Sequence, residues 1–119
     1  MQRFTELKVW QRSHALALSI YRLTQRFPAE ERFGLVSQLR RAAVSVSTHI
    51  AEGSRRSRPL DYARFLNVAE GSVGEVESLL LLGRDLQFAS ADGVQPLLDE
   101  TEEIFAMLYA LRQRVEAGE

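Results

Sequence analysis

The chain has 119 residues, 45% of them hydrophobic and 26% charged, with a formal net charge of -1. That size and balance read as one soluble globular domain spanning 1–119, and they argue against a broadly polybasic nucleic-acid binder, although a local basic patch fits inside a neutral total. With no cysteine, disulfides, thiolate metal sites and a cysteine nucleophile are excluded, which fits a cytoplasmic setting. No stretch approaches ~18 consecutive apolar residues, and the opening MQRFTELKVW has no apolar run or small-residue cleavage site. Neither a membrane span nor a signal peptide is expected.

The pattern predicts a first helix from about Glu6 to Arg26, with Thr5 as N-cap and Phe4 and Val9 placed as a hydrophobic staple. Pro28 ends it, since the residue before proline avoids helical geometry. Two apolar stripes run along this helix: Leu7, Trp10, Ala17, Leu18 and Tyr21, then Val9, Leu16, Ile20, Leu23 and Phe27. An outer bundle helix needs one stripe of roughly 100°. The second stripe serves either a wide contact with both neighbours or a partner outside the subunit.

The second helix starts between Ala29 and Leu35 and centres on QLRRAAVSVSTHIAEG, residues 38–53. Leu39, Ala42, Ala43, Val46 and Ile50 share one face at spacings of three and four, while Arg41, Ser45, Thr48 and Glu52 share another. Gly53 is expected to end it as the left-handed residue after the helix. A polar linker, SRRSR at 54–58, follows, with Ser57 or Arg58 as cap and Pro59 in the first turn of the next helix.

The third helix should run from about Leu60 to Leu86, with Phe65, Ala69, Ser72, Val76, Leu79 and Gly83 facing the core. Gly71 and Gly74 each cost about 1 kcal/mol against alanine inside a helix, so close backbone packing is the expected compensation. Four leucines, 79–82, cannot all enter one core. Leu81 lies opposite the stripe, and Leu82 lies on its flank with Val68 and Glu75. A break at Gln87–Gly93 precedes a fourth helix starting near Asp92 to Gln95. Its stripe holds Val94, Leu97, Leu98, Thr101, Ile104, Phe105, Leu108, Leu111 and Val115. Asp99, Glu100, Glu102 and Glu103 form its solvated side. Four helices and short connections predict an all-α, antiparallel up-down-up-down four-helix bundle.

Chemistry is sparse. No phosphate-binding glycine loop or nucleophile elbow is present. A di-metal carboxylate bundle needs Glu-x-x-His on two helices. Only the reversed His49-Ile50-Ala51-Glu52 occurs, with His14 and Glu75 as remote additions. His14 and His49 are therefore expected to be hydrogen-bonded residues at the core edge, with no catalytic group, metal or cofactor. Glu52 sits where the helix dipole disfavours a carboxylate and calls for a cationic partner from Arg55, Arg56, Arg64 or another subunit. Arg41 lies about 16 Å back along the same helix and cannot serve within the chain. Glu75 has Arg40 and Arg41 as candidates. Arg41, Glu52 and Glu75 are thus expected in structural ion pairs, with a ligand site as the alternative. Arg55, Arg56 and Arg58 form the one dense basic patch, suited to phosphates, though SRRSR has no aromatic interleaved. Val68, Leu81 and Leu82 are the expected oligomer contacts.

Several segments together resemble one family: FTELKVWQRSHALA at 4–17, FP at 27–28, QLRRAAVS at 38–45, IAEG at 50–53 and ARFLNVAEGSVGEVESLL at 63–80. Their order and spacing are similar to those of the bacterial four-helix-bundle proteins first named for members encoded by intervening sequences in 23S ribosomal RNA genes. The resemblance implies an antiparallel bundle that forms ring-shaped homo-oligomers, with a pentamer expected, and no established enzymatic activity. A similar bundle is the accessory protein of reverse transcriptases in diversity-generating retroelements, where it contacts nucleic acid and the polymerase. His49 stands where the family pattern has asparagine, so no role of that amide carries over.

Three functions follow as expectations. The first is a non-enzymatic oligomeric scaffold binding RNA or an RNA-handling protein. The second is a protein-binding module whose basic loop is incidental. The third is a metal-dependent enzyme using His49, Glu52 and Glu75. Salt-dependent RNA binding separates the first two, and metal analysis tests the third.

Overall fold

Each apolar stripe must be covered by another, and four of them close on one another as helices. The computed structural model describes residues 3–118; Met1, Gln2 and Glu119, part of the expected 1–119 domain, lie outside the described residues. The helices are α1 (Lys8–Thr24), α2 (Leu35–Ser54), α3 (Pro59–Asp85) and α4 (Ala91–Glu116). Short 3₁₀ turns at Phe4–Glu6 and Ala29–Glu31 precede α1 and α2. They form an antiparallel bundle of 45 × 23 × 20 Å. The α2–α3 and α3–α4 contacts are the most extensive and α1–α4 the least.

The core follows the expected stripes on α1 and α2: Leu16, Ile20, Leu39, Ala43, Val46 and Ile50 are sealed inside. On α3 the buried face is wider than the expected stripe. Ala69, Ser72, Val76 and Gly83 are buried as expected and Leu66, Val73 and Leu80 join them, while Phe65 and Leu79 are only half-buried. The reason is that α3 packs broadly against both α2 and α4. Of the four leucines, Leu80 is core, Leu81 is half-buried against it and Leu82 is exposed, so Leu81 does not point away as expected. On α4, Phe105 falls outside the buried stripe.

Helix ends differ from expectation for identifiable reasons. Thr5 is not a cap: the 3₁₀ turn occupies it, its carbonyl accepts from Gln11 Nε2, and Leu7 stands at the start of α1. Phe4 meets Trp10 edge to face rather than stapling Val9. Glu31 caps α2 from outside, its carboxylate accepting from the Leu35 amide at 3.2 Å, a favourable charge at a helix start. Pro59 opens α3 and Arg58 stands at its N-cap, as expected, without a side-chain cap hydrogen bond. The fourth helix starts earlier than expected because Ser90 Oγ accepts from the Gly93 amide at 3.0 Å.

Gly53 corrects the expectation most instructively. It lies inside the last turn of α2, which continues to Ser54, and is not left-handed. A Cβ there would stand 2.7 Å from Phe65 Cβ and 3.0 Å from Tyr62 Cδ1. The glycine is present so that α3 can approach α2. Gly71 and Gly74 are the opposite case: both face solvent, with nothing within 4 Å of an added Cβ, so no close packing within the chain compensates them.

Candidate nucleic-acid interface

The linker joins α2 to α3 at the end of the bundle where the described chain also begins. Its backbone is held from both sides. The amides of Arg55 and Arg56 donate to the carbonyls of Glu52 and Gly53, and the Arg58 carbonyl accepts from Asp61 and Tyr62. Arg55, Arg56 and Arg58 are all exposed, and none enters an ion pair among the described residues. The fold supplies the aromatics that SRRSR lacks. Phe65, seated against Gly53, places its ring 4.7 Å from the Arg56 guanidinium carbon. Phe4 lies 5.8 Å beneath that of Arg55. A cation–π contact of this kind holds a guanidinium without neutralising it. Sequence spacing alone could not pair Phe4 or Phe65 with the linker, because both contacts are tertiary.

The expected ion pairs of Arg41, Glu52 and Glu75 are not formed among the described residues; each of the three is exposed. The candidate partners are engaged elsewhere. Arg40 donates to Thr24 Oγ1 and the Tyr21 carbonyl and stacks on Tyr21, tying α2 to the end of α1. Arg64 lies 3.6 Å from Asp61. Glu75 and Arg41 instead line an open groove of about 500 Å³ between α2 and α3, with Gln38, Ala42 and Ser45.

Two other ion pairs cross the bundle. Arg112 on α4 grips Glu70 on α3 with two nitrogens, and Glu70 is only 6% exposed. Arg12 on α1 binds Glu100 on α4 through two hydrogen bonds of 2.7 and 2.8 Å, so Glu100 is not part of a freely solvated acidic side. In both cases the hydrogen-bonded carboxylate pushes the guanidinium's pKa further up. The signal for Glu70 and Arg112 was present in the spacing. Each stands at a core position, between Leu66 and Val73 on α3 and between Leu108 and Val115 on α4.

The histidines stand apart. His49 is half-buried, its Nδ1 2.8 Å from the Ser45 carbonyl and 3.0 Å from Ser45 Oγ, which in turn meets Ser72 Oγ on α3 at 2.9 Å. His14 is exposed and stacks on Trp10 instead of being hydrogen-bonded at the core edge. It lines an apolar groove of about 540 Å³ between α1 and α2, with Trp10, Leu18, Tyr21, Val44 and Glu52. The structure therefore does not bring His14, His49, Glu52 and Glu75 together. Among the described residues no three His, Cys, Asp or Glu side chains are placed to share a metal ion.

The expected oligomer contacts divide. Val68 and Leu82 are 46% and 47% exposed on the outside of α3, whereas Leu81 is half-buried within the subunit. Leu18, Tyr21 and Val44 are comparably exposed on the α1–α2 side. No described helix is long and apolar enough to cross a membrane.

Comparison with known proteins is consistent with this bundle. A solved structure from Bacteroides thetaiotaomicron, described as a protein of unknown function from the S23 ribosomal protein family, superposes with a TM-score of 0.79 at 20% identity. The match covers 87% of this chain and 97% of that one, and it shows the fold. No curated protein matches the chain. Residues 5–110 match the family described as 23S rRNA-intervening sequence protein. The chain therefore belongs to the 23S rRNA-intervening sequence protein family.

Proposed function

We propose that this chain is a non-enzymatic, self-associating cytoplasmic scaffold that binds RNA or an RNA-handling partner, with the Arg55–Arg58 end of the bundle as the RNA contact. The observation that carries the reading is the set of three exposed linker arginines without carboxylate partners among the described residues, two of them steadied on phenyl rings. Unneutralised guanidinium groups suit phosphate oxygens. The family's description, which refers to ribosomal RNA, supports the same reading.

Self-association is supported by the apolar groups left outside the bundle on two sides, the α1–α2 groove and the outer face of α3. Apolar patches favour association. A heterologous contact between two different faces closes into a ring when its rotation divides the full turn, and the family resemblance makes a five-membered ring the specific proposal. Assembly would place several copies of a modest basic site on one RNA, raising affinity without new contacts.

The test is filter binding of RNA over a salt series. Changing Arg55, Arg56 and Arg58 to alanine should weaken binding and flatten its salt dependence. Stability should stay within about 0.5 kcal/mol, as for exposed substitutions. Unchanged binding in the triple variant would remove this end of the molecule as the site.

A further inference from the structure

The two arginine–phenylalanine pairs have a property beyond charge. A guanidinium held over a ring by a cation–π contact keeps a planar face free, and such a face stacks on a nucleic-acid base. Arg56 is exposed above half-buried Phe65, at 4.7 Å, and Arg55 is exposed above half-buried Phe4, at 5.8 Å. Phe65 is fixed in turn, because Gly53 leaves room for its Cβ against α2 and His49 lies at a ring-centroid distance of 6.0 Å. Phe4 is fixed by its edge-to-face contact with Trp10 at 5.3 Å. The two platforms flank one short linker whose third arginine, Arg58, lies over no ring among the described residues. The nearby acids do not cancel this charge: Asp61 is occupied by Arg64, and Glu52 opens onto the α1–α2 groove.

We propose that this end of the bundle takes single-stranded nucleic acid with unstacked bases, each of Arg55 and Arg56 sandwiched between its phenyl ring and a base while Arg58 meets the backbone. The inference rests on the RNA-binding reading and narrows its ligand. A duplex keeps its bases stacked on each other and offers this surface only phosphates. A single strand offers phosphates and base faces together, the combination that sequence-tolerant single-strand binders use.

The experiment compares a single-stranded oligouridylate of about 16 nucleotides, whose bases stack little on one another, with an RNA duplex of the same length, at one salt concentration and then over a salt series. The wild type should favour the single strand. The double variant R55K/R56K keeps both charges but loses both planes. It should keep the salt slope yet bind the single strand at least about fivefold more weakly, the lower end of what one base stack contributes. Phe65→Leu, which keeps an apolar side chain against Gly53, should act in the same direction. Circular dichroism checks that each variant is folded. Equal wild-type affinity for strand and duplex would overturn the inference, as would R55K/R56K binding like the wild type; either result leaves phosphate binding standing. Failure of the wild type to bind either probe would overturn the RNA-binding reading together with this one.

Discussion

Gly53, Gly71 and Gly74 show how the same residue type acts in opposite directions. Alanine at Gly53 would gain about 1 kcal/mol of helix propensity but drive a Cβ to 2.7 Å from Phe65 Cβ. Overpacking of that kind costs roughly 1–3 kcal/mol. Gly53→Ala should therefore be destabilising, or at best neutral, in urea unfolding. Gly71→Ala should stabilise the subunit by up to about 1 kcal/mol, because propensity acts alone there. A destabilised Gly71→Ala protein would mean that this face is covered by another chain. In the sequence Gly53 reads as a helix end and Gly71 and Gly74 read as sites of close packing, and the position of α3 reverses both readings.

Tyr62, beside Gly53, carries a pH signature. Partial burial raises its phenol above the ordinary 10.0, against a smaller lowering by Arg114. The folded state thus prefers the neutral phenol. Its contribution is complete below the unfolded value and is lost as pH rises through the higher folded one. Wild-type stability should fall more steeply than that of Tyr62→Phe above pH about 10. Parallel curves for the two proteins would contradict that environment.

At the scale of helices, the two ion pairs differ by their burial. Arg112→Ala strands the Glu70 carboxylate, 6% exposed, between α3 and α4. Removing one partner of a buried pair costs about 3–5 kcal/mol, with the lower end apt here because the Arg112 side chain is partly solvated. Arg12→Ala should cost no more than about 1 kcal/mol, since the Arg12 and Glu100 side chains keep 40% and 30% of their surface in solvent. Chemical denaturation of the two variants checks the contrast; equal losses would contradict it. The helices themselves were legible because Leu39, Ala42, Ala43, Val46 and Ile50 repeat at helical spacing and Pro28 and Pro59 punctuate the chain. The breadth of the buried face of α3 was not legible. Ala69, Ser72, Val76 and Gly83 are inside as their spacing indicates, and Leu66, Val73 and Leu80 are inside as well because α3 packs against both α2 and α4.

At the scale of the molecule, the four-helix topology could be read from short connections and amphipathic stripes, but the candidate site could be read only in part. The charge of Arg55, Arg56 and Arg58 is plain in SRRSR. The rings beneath two of them come from Phe4 and Phe65, brought there by folding. Conversely, Arg41, Glu52 and Glu75 were expected to pair because of the positions they hold on their helices. Helix position does not say that Arg40 reaches α1 or that Arg64 takes Asp61. The excess apolar surface was legible at Leu82 and in the first stripe of α1, and both remain exposed at Leu82, Leu18 and Tyr21. The central claim joins these two features: an assembly held by its apolar faces presents several basic ends to one RNA.

The most direct test of that claim is the slope of log affinity against log salt for single-stranded RNA, measured for the wild type and for Leu82→Asp. One chain's three linker arginines can supply a slope no steeper than about -2, at roughly -0.7 per phosphate contact. The wild type should be clearly steeper than this. Leu82→Asp, which places a charge at the proposed apolar contact, should fall to about -2 or shallower while keeping its helical content. A wild-type slope no steeper than that of the variant would contradict the account.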